Sequence, residues 1–226
     1  MMLTMMLIAW DIETCPRPYD SLPKPQRERL KRETDRVLSN DPDLSEEDAR
    51  SKAASLHPHL GWICCIAAVR GSPSAEGAPK RWVASSLDEE PDLLEEFWAD
   101  IRQIRRHGTK RHGSIRWVTF NGKRFDVPFL TARTAVAGVE PTSTKLTKTH
   151  PFRHSPHADL MGLWPNANYS LKGLCSFLGV EVEETPIDGS MVAGLVEEGR
   201  LEGGATYCEN DAVQTLRCGQ ALTPLL

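Results

Sequence analysis

The sequence predicts an α/β fold, a mixed sheet flanked by helices. Three observations carry this. Short apolar runs, several rich in β-branched residues, recur at about 7–14, 62–69, 81–85, 115–120 and 157–161. From residue 91 onward, stretches with apolar residues three and four apart fall between and after those runs. The resulting order is three strands, helix, strand, helix, strand, then helices. At 226 residues with 40% hydrophobic and 26% charged content, the chain suits a single domain over 1–226, with a charged helical insertion at about 17–58. A net charge of −4 argues against coating nucleic acid non-specifically and leaves room for a local basic track.

The first strand, Leu7-Ile8-Ala9-Trp10-Asp11-Ile12-Glu13-Thr14, opens apolar and then sets two carboxylates two residues apart. Side chains alternate along a strand, so Asp11 and Glu13 share one face and Trp10 and Ile12 the other. Like charges side by side on such a strand are costly unless a cation sits between them, and hard divalent cations take carboxylate oxygens. One Asp-x-Glu also describes a polar strand end running into a loop, so other carboxylates must decide. Pro16 and Pro18 end the strand. Residues 23–56 are dense in Arg, Lys, Glu and Asp, with sparse apolar points such as Leu30, Val37 and Leu44. They are expected to form two charged helices broken near Asn40-Asp41-Pro42, with Asp43 or Ser45 as a cap. This segment reads either as a solvated insertion or as a flap over the acidic strand.

Trp62 to Val69 is expected as a buried strand, Gly71 to Pro79 as a loop, and Arg81 to Ser85 as the second arm of a hairpin. Leu93, Leu94, Phe97, Trp98 and Ile101 mark a helix from Pro91 to Arg106. The basic loop after it, with Lys110 and Arg111, is either solvated or in contact with phosphate. Ile115 to Phe120 is a strand, Asn121-Gly122 a turn, and Asp126 opens a helix to about Ala137, as an N-cap or as a ligand. His150, His154 and His157 are interrupted by two prolines, which removes any obvious zinc geometry, and His157 to Met161 is a short strand. A helix over Ser170 to Leu178 closes at Gly179, and Ser190 is expected to cap the next, ending at Gly199. The last helix spans about Gly204 to Ala221. On it Tyr207 and Asp211 stack one turn apart, and Asp211 sits at the edge of the stripe made by Cys208, Ala212 and Leu216.

Six cysteines without a Cys-x-x-Cys pair read as reduced, buried thiols. The apolar run at the N-terminus lacks a basic flank and meets Asp11 too early for a signal peptide or a membrane span. A soluble, cytoplasmic protein with no membrane partner is expected.

Four carboxylates therefore stand out: Asp11, Glu13, Asp126 and Asp211. The order of elements resembles the ribonuclease-H-like fold. More specifically, the chain resembles the DEDD-type 3′–5′ exonucleases, through Asp11-Ile12-Glu13-Thr14, Asn121-Gly122-Lys123-Arg124-Phe125-Asp126-Val127-Pro128-Phe129-Leu130, and Tyr207 four residues before Asp211. The last two pieces are similar to the exonuclease domain of family B DNA polymerases and to its stand-alone bacterial relatives, as are His157-Ala158-Asp159-Leu160, Ser170-Leu171 and Asp188-Gly189-Ser190. Residues 23–56 match least.

The resemblance implies that Asp11, Glu13, Asp126 and Asp211 hold two divalent cations, and that Tyr207 orients the attacking water, the mark of the tyrosine subgroup. It also implies that Thr14, Asn121 and Phe125 contact the terminal nucleotides. An all-oxygen site suits Mg2+ or Mn2+ and suits zinc poorly. A tyrosine hydroxyl titrates about three units above neutral pH, which favours positioning over proton removal. Phe125 either stacks on a base or packs against Phe129, and Lys123 or Arg124 is placed to meet a phosphate. Asp159 reads as structural. The expected function is metal-dependent hydrolysis of phosphodiester bonds from the free 3′ end of single-stranded or frayed DNA. The motifs do not read the sugar, so a 3′–5′ exoribonuclease stands as the alternative, and an inactive nucleic-acid-binding module as another.

Overall fold

The computed structural model describes residues 5–112, 114–142, 145–150, 153–164 and 169–226, without the side chains of residues 105 and 107–112. Its centre is a six-stranded mixed sheet. The first strand, β1 (Met6–Pro16), pairs antiparallel with β2 (Gly61–Ser72) along its whole length. The other edge of β2 carries β3 (Ala75–Glu76) and β4 (Lys80–Val83), so the expected hairpin is present, with a two-residue strand inside the expected loop. On its far side β1 runs parallel to β5 (Ile115–Thr119), and β5 runs parallel to β6 (His157–Asp159).

Two irregularities of β1 bear on where its carboxylates sit. Its pairing with β5 ends at Ala9↔Val118, so the strand leaves the ladder on that side just before Asp11. Its register with β2 also shifts. Glu13 faces Cys65 while Thr14 faces Ile63, which makes Cys64 the extra residue of a bulge. Bulges bend a strand and re-aim its side chains. This one is anchored from behind, where the Ile63 amide donates to Glu90 Oε1 at 2.7 Å. Arg133 donates to both oxygens of Glu90, at 2.9 and 3.0 Å through Nε, and the two residues are 4% and 1% exposed.

Helices cover both faces of the sheet. α3 (Glu90–His112) packs under Trp10, whose ring centroid lies 6.4 Å from that of Phe97. α4 (Asp126–Ala137) joins α3 through Trp98 Nε1, which donates to Thr134 Oγ1 at 3.1 Å. α3 continues to His112, where a loop was expected. One helical glycine costs only about 1 kcal/mol, so Gly108 is a weak stop. The Lys110 and Arg111 side chains lie outside the described residues.

On the opposite face lies α7 (Leu201–Ala221), whose Cys208 thiol donates to the Asp11 carbonyl at 3.5 Å. α7 starts before Gly204, which looks like a breaker in sequence. A Cβ at Gly204 would stand 3.0 Å from Val192 Cγ1, so the glycine serves close helix packing. Beside α7 are α5 (Leu171–Leu178), which Gly179 ends in the left-handed conformation at φ 68°, and α6 (Val192–Glu197). The expected cap at Ser190 is corrected: Asp188 takes the Ser190 amide at 2.8 Å and starts the turn Gly189–Met191 that leads into α6.

The charged segment forms α1 (Lys24–Asn40) and α2 (Glu46–Ser55), the latter capped by Ser45, whose Oγ accepts the Asp48 amide at 3.0 Å. Leu22, Leu30, Ala53, Ala54 and Leu60 form a small core of their own beneath these helices. All six cysteines are free and buried. No described helix is long and apolar enough to cross a membrane.

Candidate active site

Where β1 leaves β5, a cleft of about 680 Å³ opens, and Asp11, Glu13, Asp126 and Asp211 all line it. Asp11 and Glu13 come from one face of β1, and Asp211 reaches them from α7. Ligand oxygens of these three lie within 4.8 Å of one another. Asp126 stands outside that tight group, in the first turn of α4. It is not the helix cap, a position held by Phe125. Backbone amides, its own and that of Ile12 on β1, favour its charged form. A second cleft of equal volume, beside Tyr19, Arg50 and Trp62, contains none of the four acids.

The acids hold one another's protons. Burial, then the charges of Asp126, Glu13 and Asp211, push Asp11 well above the usual carboxylate range. Burial and Asp211 do the same to Glu13. Burial raises Asp126 to about 8, against the pull of its two amides. Burial also raises Asp211, opposed by a hydrogen bond from Tyr207 and by the charge of Lys172. Such a set is stable as carboxylates only when positive charge is supplied. The donors are oxygens alone, the chemistry that Mg2+ and Mn2+ accept. Burial, then the charges of Asp211 and Glu13, lift the Tyr207 hydroxyl far above its ordinary value, so it stays protonated.

The expected substrate contacts divide. Thr14, Asn121 and Phe125 line the cleft. The Thr14 hydroxyl is already engaged, donating to Ser55 O at 2.7 Å and tying β1 to α2. Asn121 adopts a left-handed φ of 62°, and its amide donates to Asp159 Oδ1 at 2.8 Å. Gly122 follows because a Cβ there would fall 2.4 Å from Thr119. Phe125 both lines the cleft and packs 5.5 Å from Phe129, so the two readings of it are compatible.

Lys123 is a correction. The turn aims it inward, 7% exposed, where Nζ donates to His150 O at 2.9 Å and to Arg153 O at 2.6 Å. It braces the loop and is not placed to meet a phosphate. Arg124, the next residue, is exposed and lies outside the cleft lining. Asp159 is structural as expected, accepting the amides of Asn121, Lys123 and Met161.

Two features were not settled by the sequence, one of them the choice between a solvated insertion and a flap. Asp41, Asp48, Ser51, Lys52 and Leu56 line the cleft opposite the acids, so the charged segment is one of its walls. The bulge anchor Glu90–Arg133 left a faint signal, since Arg133 falls on the same helical stripe as Phe129 and Leu130, where a charge needs a partner.

Residues 56–218 match the model of a family described as predicted 3′–5′ exonucleases related to the exonuclease domain of PolB. The chain belongs to this family. The match to this PolB-related exonuclease family contains Asp126, Tyr207 and Asp211 and begins after Asp11 and Glu13. Among solved structures, a family B DNA polymerase from the hyperthermophilic archaeon Pyrobaculum calidifontis is similar over 97% of this chain and 24% of its own, at 14% identity and a TM-score of 0.61. Exonuclease I in its apo form is similar over 98% of this chain and 42% of its own, at 12% identity and a TM-score of 0.50. The chain thus spans about a quarter of the polymerase and under half of exonuclease I. These likenesses show the expected fold, a ribonuclease-H-like mixed sheet flanked by helices. A search of curated proteins finds no match.

Proposed function

We propose that this PolB-related exonuclease is a metal-dependent 3′–5′ exonuclease of the DEDD tyrosine subgroup, acting on the free 3′ end of single-stranded or frayed DNA. The observation that supports it most is the meeting of Asp11, Glu13 and Asp211, from opposite ends of the chain, in a cleft that Asp126 also lines. Two divalent cations held by these acids, Mg2+ or Mn2+, would activate a water and stabilise the leaving oxygen.

The protein's own groups do the remaining work. Asp11, Glu13 and Asp211 supply the negative charge and fix its position through rigid elements, β1 and α7. Asp126 completes the set from α4. Tyr207, protonated and one helical turn from Asp211, orients a water in this reading and does not remove its proton. Phe125 and Asn121 line the floor where a terminal nucleotide would lie, and α2 forms the facing wall. Residues 1–226 act as one domain with an inserted pair of helices. Six unbridged, buried thiols suit a cytoplasmic setting.

Single-stranded DNA and RNA of matched sequence, labelled at the 5′ end and incubated with Mg2+ or Mn2+, test this. A ladder shortening from the 3′ end, absent in Asp11→Ala, is expected with DNA. Faster loss of RNA would make the protein an exoribonuclease. Binding without cleavage under each metal would leave only the inactive nucleic-acid-binding module.

A further inference from the structure

Next to the cleft the surface carries aromatic side chains that the proposed chemistry does not use. Phe120 lines the cleft, and its ring meets Tyr169 edge-on at 5.8 Å. Tyr169 meets Trp164 at 6.3 Å, and Trp164 meets Phe177 at 6.4 Å, both edge-on. The series runs outward from the acids and ends in the open, with Trp164 37% and Phe177 77% exposed. A hollow of about 290 Å³ lies among Trp164, Tyr169, Leu174 and Phe177, with Gly173 leaving it unfilled. That is just below the small end of cofactor pockets, about 300 Å³, and suits a single flat group.

Among the described residues the lining of the hollow is almost wholly apolar surface. The Tyr169 hydroxyl is already engaged, donating to Leu160 O at 2.9 Å. The helix that carries Phe177 also carries the exposed Lys172, whose charge is felt by Asp211 and Asp188, so α5 lies within electrostatic reach of the acids.

We infer that the Phe120–Tyr169–Trp164–Phe177 series is a stacking ledge for the unpaired bases of the nucleic-acid strand whose 3′ end lies in the cleft. This rests on the proposed nuclease reading. An exposed phenylalanine and tryptophan continuous with an acidic cleft fit a strand threading past both. Bases of any identity stack on aromatic rings, so the ledge holds the strand without choosing its sequence. A dinucleotide fills the cleft and leaves the ledge empty. A long strand uses both.

The test compares steady-state hydrolysis of a dinucleotide and of a long oligothymidylate by wild type, Trp164→Ala/Phe177→Ala, Phe177→Leu and Phe177→Tyr. The double variant is expected to raise KM for the long strand by about tenfold or more, with dinucleotide turnover unchanged. Phe177→Tyr should hold the long strand as wild type does, and Phe177→Leu should weaken it.

Equal losses on both substrates would show a folding or catalytic defect and overturn the ledge, as would an unchanged KM for the long strand. Full function in Phe177→Leu would mean that apolar contact and not stacking matters, which also overturns it. So would sedimentation showing that wild type pairs through this face and the double variant does not. If wild type cleaves neither substrate with Mg2+ or Mn2+, the nuclease reading itself fails, an outcome distinct from the others because no variant enters it.

Discussion

Asp126→Asn should make the metal-free protein more stable at alkaline pH while destroying its activity. Burial lifts this carboxyl from 3.8 to about 8. Below about pH 4 the group carries its proton in the folded and the unfolded chain alike, and the folded state keeps its full stability. As pH rises from about 4 through about 8 the unfolded chain gives up the proton while the folded chain retains it, so stability falls. At about 1.4 kcal/mol per pH unit across that window, the loss reaches at most about 6 kcal/mol. Asparagine keeps the shape and does not titrate. The stability difference between variant and wild type should therefore shift toward the variant by several kcal/mol between about pH 5 and about pH 8. Urea unfolding in the presence of a chelator measures it. Adding Mn2+ at alkaline pH should restore wild type by about 2–3 kcal/mol at a hundredfold excess over Kd, and the variant by less. A difference that stays constant with pH would refute the reasoning, because Asp126 would then not titrate differently in the folded state.

Arg133→Ala strands the buried Glu90 charge beneath the β2 bulge and should cost about 3–5 kcal/mol in denaturant unfolding, with Glu90→Gln/Arg133→Met recovering most of it. Tyr207→Phe should lower kcat by about a hundredfold with KM and unfolding midpoint little changed, since it removes a positioning group that stays protonated. Lys123→Ala should lower stability and leave the salt dependence of oligonucleotide binding intact, because its ammonium is committed to two carbonyls. If the exposed Arg124 reaches a phosphate, Arg124→Ala should reduce that salt slope by about 1. Fluorescence melts and binding titrations across ionic strength separate the two lysine and arginine outcomes.

The sheet and most helices were legible because each strand is a bounded apolar run and each long helix repeats at three and four. The acids were legible because Asp11 and Glu13 share a strand face and Tyr207 and Asp211 a helix face, relations that spacing alone fixes. What spacing cannot show is where a turn aims its residues. Lys123 and Arg124 are alike in sequence, yet the left-handed Asn121 sends the first into the protein and leaves the second in water. The hydroxyl of Thr14 is committed to Ser55, a partner on the charged segment that no local pattern connects to β1. That same segment reads in sequence either as solvated or as a flap, because most of its side chains are charged, and the residues of α2 that line the cleft make it a wall. The cap at Ser190 was misplaced by two residues because Asp188 takes both the amide and the hydroxyl of Ser190 and starts the turn itself.

Calorimetric titration of Mn2+ into the chelator-stripped protein tests the central claim most directly. Saturable binding of two ions per chain is expected, falling to one or none in a folded Asp11→Asn variant. No saturable binding, or binding that Asp11→Asn leaves unchanged, would contradict a shared metal site built from β1, α4 and α7.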